Sequence, residues 1–315
     1  MKEKIKVGVV LLEKIDVKKI FSSNVNVGKV LLDEPMKNHT SFKIGGPVDV
    51  MIVPSNESEL IEGIKICRNN NIDFYIVGNG SNLLVSDKGM EGVVIKISEE
   101  FGDITVEGDI IRAESGALLT VVSKRALKNS LTGLEFASGI PGSIGGAITM
   151  NAGAYGGEMK DIVTKVRCLN KNGDIVEYSN EEMNFRYRKS RVEEEGLIVL
   201  GIEMKLEKGD YDVIDGKMKE LTEKRTSKQP LNFPSGGSTF KRPEGHFAGQ
   251  LIDESGLRGI KYGDAQVSEK HCGFVINCGN ATSKDVRTLI KVVQKVVKDK
   301  YNVELEPELK IIGRE

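Results

Sequence analysis

Cysteine, histidine and proline are scarce in this chain, and no apolar run reaches membrane-spanning length. The four cysteines, at 67, 168, 272 and 278, form no Cys-x-x-Cys pair. Their spacing suits neither a zinc site nor a disulfide framework and reads as reduced thiols in a cytosolic protein. The three histidines, His39, His246 and His271, show no metal-ligand spacing, so no metal is expected. The apolar run at 7–12 contains Gly8 and is followed at once by Glu13 and Lys14. It is too short for a signal h-region or a transmembrane helix, and a cytoplasmic location is the expectation. Charge of one sign is also missing: 45 Lys and Arg face 46 Asp and Glu. Neither nucleic acid nor an anionic membrane is therefore an expected partner. A Gly-x-Ser-x-Gly elbow and a Gly-x4-Gly-Lys-Ser/Thr loop are both absent.

Glycine is abundant, with 35 residues against 8 prolines, and it is not periodic. That excludes a collagen-like repeat and a disordered linker, and places glycine where the backbone needs it. Short strands alternate with helices after a helical lead-in at 1–35. A helix is expected over 57–70, with Leu60, Ile61 and Ile64 on its apolar face. Strands are expected at 73–77 and 93–97, hairpins over 104–113 and 165–178, a helix over 117–129 and a strong strand over 197–206. A charged helix covers 211–228. Val286, Leu289, Ile290, Val293, Val296 and Val297 repeat at helical spacing, which predicts a helix over 283–300 with Ser283 as N-cap. A final strand is expected over 305–312. The texture changes near 208, so a mixed α+β body precedes a smaller α+β domain.

Five segments carry polar chemistry. Val-Gly-Asn-Gly-Ser-Asn-Leu-Leu-Val at 77–85 follows a strand, and its close glycines can turn successive N–H groups toward an anion. It is no dinucleotide fingerprint, because Leu83 stands where the third glycine belongs. By itself the stretch fits an unliganded tight turn equally well. Residues 133–157 hold eight glycines among apolar residues, which fits backbone packed on a large flat ligand better than a structural crossover. In 185–190, Arg186, Arg188 and Lys189 interleave with aromatics, and a buried arginine wants an anion. The stretch 228–243 offers hydroxyls, free N–H groups and three cations, suited to a phosphorylated ligand and a proton-donating hydroxyl. Glu306 and Glu308, near the C-terminus, read as exposed and on their own carry no role.

Taken in order and spacing, these segments resemble the UDP-N-acetylenolpyruvoylglucosamine reductase family. The resemblance runs from about residue 38 to the C-terminus. It rests on Asn-His-Thr-Ser-Phe-Lys-Ile-Gly-Gly at 38–46, Gly-Asn-Gly-Ser-Asn at 78–82, Ile-Pro-Gly-Ser-Ile-Gly-Gly at 140–146 and Asn-Ala-Gly at 151–153. Tyr-Arg-Lys-Ser at 187–190, Ser-Gly-Gly-Ser-Thr-Phe at 235–240, Ala-Gly-Gln-Leu-Ile-Asp at 248–253 and Glu-Pro-Glu at 306–308 complete it. The resemblance implies an FAD-binding body of vanillyl-alcohol-oxidase type in two subdomains, about 36–99 and 100–207, with a substrate-binding domain at 208–315. It implies that NADPH reduces FAD, which then reduces UDP-N-acetylglucosamine enolpyruvate to UDP-N-acetylmuramate for peptidoglycan synthesis.

By position, Ser238 matches the family's proton donor, and Arg188 and Glu308 match the residues that polarise the substrate carboxylate and stabilise the enol-like intermediate. Lys228 matches a phosphate contact; Arg242 and Tyr187 are further substrate candidates. The FAD pyrophosphate is expected on Gly78, Asn79, Gly80, Ser81, Asn82 and Leu83, with Gly142, Ser143, Gly146 and Asn151 beside it. No histidine lies in the glycine-rich segments, so FAD is expected to be non-covalent. Residues 1–20 match the family poorly, and the third domain is short, as in a subtype without a tyrosine-bearing loop insertion. A monomer is the expected state. The alternative is another flavin oxidoreductase of the same fold, a sugar or hydroxy-acid oxidase.

Overall fold

A computed structural model of the chain describes residues 16–23 and 26–315. The first 15 residues of the expected lead-in lie outside the described residues. Of the remainder, Val17–Ser22 is helical, but Lys29–Pro35 is a strand, not part of a helix. It pairs antiparallel with Pro47–Val53 at the edge of a four-stranded sheet. Met90–Lys96 and Phe74–Val77 continue that sheet in parallel. The helix Glu57–Asn69 starts where Asn56 accepts the Glu59 N–H and the Glu59 carboxylate accepts the Ser55 N–H at 2.8 Å. It buries Leu60, Ile64 and Cys67 against Val50, Ile52, Val93 and Ile95.

A second, five-stranded antiparallel sheet runs in the order Ile175–Ser179, Val163–Leu169, Ile198–Lys205, Ile110–Glu114, Ile104–Glu107. Both expected hairpins are present. The helices Leu119–Lys128 and Ile144–Thr149 cover one face, packing Val122, Ala126 and Ile148 on Ile111, Val166 and Ile202. Ile198 and Leu200 instead join the core of the first sheet. One central strand thus serves two cores, which explains its near-continuous apolar character.

The helix Tyr211–Lys228 has the expected bounds. It packs on Leu119–Lys128 and the turn Glu135–Ala137, so it lies on the upstream body. Beyond it, Lys261–Tyr262, Ala265–Val267 and Val275–Asn277 form a small antiparallel sheet under the helix Ser283–Tyr301. The N-cap of that helix is Thr282, not Ser283: Thr282 and Asp285 exchange hydrogen bonds in a capping box. Ser283 sits one residue inside and its buried hydroxyl has no partner. Asp87, from the first body, accepts the N–H groups of Ser283 and Lys284 at 2.7 and 3.1 Å. A carboxylate at a helix N-terminus also meets the positive end of its dipole.

The chain end departs from the expected strand over 305–312. Only Lys310–Ile312 is a strand, and it pairs in parallel with Leu83–Val85 of the upstream body. Phe42, Ile44 and Leu84 accordingly belong to the downstream core.

Candidate active site

The loop at 78–82 leaves the sheet where parallel strands end, the usual place for a ligand crevice in such sheets. The backbone N–H groups of Asn79, Gly80, Ser81 and Asn82 meet no backbone acceptor among the described residues. They form a run of free donors of the kind that holds an anion. Gly80 has φ +64°, and a Cβ there would overlap the His39 carbonyl. The second glycine-rich stretch meets this loop directly. Asn79 Nδ2 donates to the Pro141 carbonyl at 2.7 Å, and a Cβ on Gly78 would collide with the Ser143 hydroxyl. That stretch is not irregular throughout, since Ile144–Thr149 is a short helix in which Gly145 lets it lie close to Ser115.

A cavity of about 720 Å³ opens here, within the range of small-molecule sites. Asn79, Ser81 and Asn82 line it. Gly78, Gly80, Gly142, Ser143 and Gly146 do not line it, although Gly78 and Gly146 pack against Ser143, and Leu83 begins the next strand. Asn151 stands further back. It is fully buried with φ +43°, its Nδ2 donates to Glu158 at 2.9 Å, and its Oδ1 accepts the Lys160 N–H at 3.0 Å.

Arg188, Ser238 and Glu308 converge on the same cavity. Arg188 occupies a tight turn in which Arg186 and Lys189 exchange backbone hydrogen bonds. Its φ is +57°, a left-handed conformation that costs a non-glycine residue about 1 kcal/mol or more. The turn aims its Nε at Glu308 Oε1, 2.8 Å away. Glu308 is placed by backbone pairing: its N–H donates to the Thr239 carbonyl at 2.9 Å, and Lys241 N–H donates to Glu306 at 2.8 Å. Ser238 immediately precedes this pairing and is exposed to the cavity. Asn82 Nδ2 donates to the Glu308 carbonyl at 3.1 Å, tying the loop at 78–82 to the same point. Contrary to its reading as an exposed residue, Glu308 is largely covered, whereas Glu306 is exposed. Burial raises the Glu308 carboxyl above its ordinary range, and the Arg188 guanidinium opposes that shift.

The other expected substrate residues divide. Tyr187 and Arg242 line an adjoining cavity of about 400 Å³ that shares Arg188 with the first. The Arg242 N–H donates to the Tyr187 hydroxyl at 3.2 Å, and its guanidinium lies 4.0 Å from the Phe247 ring centroid. Lys228, the last residue of its helix, lines neither cavity. Arg225 and Gln229 line the main one instead. Arg225 forms no ion pair among the described residues, burial lowers its pKa, and the Gln229 Oε1 is buried without a partner. Sequence reading missed both. Their i, i+4 spacing on a helix that also carries Lys228 was the available signal. Lys43, Lys96 and His39 were missed as well, and all three line the cavity. The cysteines are free, and burial pushes the thiols of Cys67 and Cys168 up to about 12, which makes both inert. Among the described residues, no cluster of potential metal ligands occurs and no helix is long and apolar enough to cross a membrane.

Comparison with known proteins bears directly on this arrangement. A family profile described as an FAD binding domain matches residues 48–179, which include the loop at 78–82 and the second glycine-rich stretch. Another, described as the C-terminal domain of UDP-N-acetylenolpyruvoylglucosamine reductase, matches 229–312, which include Ser238 and Glu308. A protein of that name from Alkaliphilus oremlandii is 51% identical over 304 residues, covering 96% of this chain and all of the relative. One from Caldanaerobacter subterraneus is 57% identical over 286 residues, covering 91% of this chain and 94% of the relative. The crystal structure of the Thermus caldophilus reductase superposes with a TM-score of 0.75 at 35% identity, covering 90% of this chain and 98% of that one. With a flavin-binding body, a closing C-terminal part and this agreement over nearly its whole length, the chain belongs to the UDP-N-acetylenolpyruvoylglucosamine reductase family.

Proposed function

We propose that this protein reduces the enolpyruvyl group of UDP-N-acetylglucosamine enolpyruvate to the lactyl ether of UDP-N-acetylmuramate, a cytoplasmic step of peptidoglycan precursor synthesis. NADPH would be the reductant, and FAD, held without a covalent bond, would supply hydride chemistry for the enolpyruvyl β-carbon. The loop at 78–82, with Gly142 and Ser143 behind it, would hold the FAD pyrophosphate, and its free N–H groups fit that charge. The division of labour puts the cofactor on residues 36–207 and the substrate beneath 208–315, in a monomer.

The observation that carries the reading is the convergence of Arg188, Ser238 and Glu308 at one cavity from three distant segments. Hydride arriving at the β-carbon drives negative charge toward the α-carbon and the carboxylate. A guanidinium already fixed at that place stabilises the charge without reorganising. The Ser238 hydroxyl then gives its proton to the α-carbon. Glu308 suits the neighbouring role, because burial favours its protonated form and lets it share that proton. Arg225 presents an unpaired cation to the nucleotide diphosphate, and the Gln229 Oε1 offers an acceptor to a donor of the same ligand rather than to its phosphates. Arg225 takes the part expected of Lys228, with Tyr187 and Arg242 at the adjoining cavity.

An anaerobic spectrum tests the reading. NADPH should bleach the bound flavin and the UDP-sugar should restore its colour. Flavin that returns only with oxygen would favour a sugar or hydroxy-acid oxidase. Ser238→Ala should leave reduction by NADPH nearly intact and slow reoxidation by the sugar about 100- to 10,000-fold. Equal loss in both half-reactions would remove Ser238 from the donor role.

A further inference from the structure

Lys96 ends the strand Met90–Lys96, beside Val77, where the loop at 78–82 departs. It lines the main cavity together with Lys43 and His39. Neither lysine forms an ion pair among the described residues. Instead, Lys96 Nζ lies 2.9 Å from His39 Nδ1, and His39 Nε2 lies 2.9 Å from Glu34 Oε1. Glu34 also accepts from Asn38 Nδ2 at 3.2 Å.

These distances assign the tautomer. An ammonium can only donate, so Nδ1 must accept, and the ring proton resides on Nε2 and is given to Glu34. The ring is held neutral. Burial lowers its pKa most, Lys96 and Lys43 lower it further, and Glu34 opposes them. A neutral ring spends one of the three Lys96 N–H groups and leaves two free. It also orders a long side chain before any ligand arrives, so the entropy of ordering is not charged to binding. The carboxylate that could cancel the lysine charge is kept one imidazole away.

We propose that the Glu34–His39–Lys96 chain, with Lys43 beside it, is a mount that presents a fixed ammonium to a bound pyrophosphate lying on the N–H groups of residues 79–82. The shared chemistry is a pyrophosphate diester, which FAD, NADPH and a UDP-sugar all contain. The position of Lys96 on the wall that carries the loop at 78–82 assigns it to FAD. The inference rests on the FAD-binding body and is independent of which sugar is reduced.

The test is the dissociation constant for FAD, read from flavin fluorescence after stripping and reloading the full chain, beside the KM of each nucleotide substrate at saturating FAD. Lys96→Gln should weaken FAD about 10- to 100-fold, the range for a lost charged hydrogen bond, and Lys96→Arg should recover most of it. His39→Phe should weaken FAD less, and should add little on top of Lys96→Gln, since the ring acts through the lysine. A merely structural histidine would add its full effect. If Lys96→Gln raises the KM of the UDP-sugar or NADPH with FAD affinity unmoved, the assignment to FAD is overturned. If neither changes, the mount itself is overturned. Should Lys96→Gln not fold, Lys96→Met and the Arg variant carry the same comparison, and equal FAD affinity in the two would refute a charge contact.

Discussion

Removing the Glu308 carboxylate tests whether its pair with Arg188 is a structural clamp. The two side chains are 12% and 20% exposed, and Arg188 Nε donates to Oε1 at 2.8 Å. Breaking a fully buried pair from one side costs about 3–5 kcal/mol, because the remaining charge is stranded. Here the remaining guanidinium keeps a long contact of 3.5 Å to the Gly153 carbonyl and lies 5.1 Å from the Tyr187 ring centroid, and it borders an open cavity from which water can reach it. Deleting Glu308 also relieves the burial cost that raises its own pKa. Glu308→Ala should therefore cost about 2 kcal/mol, below the range for a fully buried pair. At about 2.1 cal/mol/K per residue, that lowers Tm by about 3 °C. Glu308→Gln keeps an acceptor at the same place and should cost about 1 kcal/mol or less. Urea unfolding of the FAD-loaded protein measures both. Two results would refute the reasoning: a Gln variant as unstable as the Ala variant, or an Ala variant within about 0.5 kcal/mol of the parent, the range of an ordinary surface change. The Gln variant should still reoxidise slowly, since a carboxamide cannot share a proton.

Gly80→Ala should lose FAD. It must hold φ +64° and displace the His39 carbonyl, and flavin absorbance per protein after gel filtration reports the loss. Arg225→Leu should raise the KM for the UDP-sugar about tenfold or more while leaving the urea midpoint equal or higher, because it removes a half-buried charge that has no partner in the free protein. A lower midpoint with unchanged KM would make Arg225 a structural residue. His39 and His271 are both held below the ordinary 6.5 by burial. The unfolded chain then binds more protons on acidification, so their contribution is full above about pH 6.5 and is lost as pH falls through the lower folded values. The double His→Gln variant should flatten stability below pH 6.5; an unchanged slope would mean the rings are not buried neutral.

Elements with a strong local pattern were legible in the sequence. The helix Ser283–Tyr301 and both hairpins of the five-stranded sheet agree with periodicity and turn residues, and Tyr211–Lys228 agrees with the reading of its charged stretch as a helix. The cap of the last helix was readable but misread: Thr282 has Asp three residues on, as a capping box needs, while Ser283 has Val286. Lys29–Pro35 was missed because an edge strand is half exposed and lacks a clean alternation. Ile144–Thr149 was missed because two glycines argue against a helix by propensity, and close packing on Ser115 overrides them.

The candidate site was legible residue by residue through its motifs but not as a geometry. Arg188 and Glu308 are 120 residues apart, and nothing local relates them. Period-two reasoning correctly puts Glu306 and Glu308 on one face of the chain end, opposite the buried Leu305 and Leu309. It cannot say what covers that face. At Glu306 the cover is solvent and one lysine, Lys241. At Glu308 it is the Arg188 turn, with Asn82 donating to the same residue's carbonyl. The difference comes from two pairings remote in sequence. Glu308 N–H reaches the Thr239 carbonyl on one side, and Lys310 N–H reaches the Asn82 carbonyl on the other. These bonds pin the chain end between the loop at 78–82 and the loop that carries Ser238. One carboxylate is thereby buried while its neighbour two residues away stays in water.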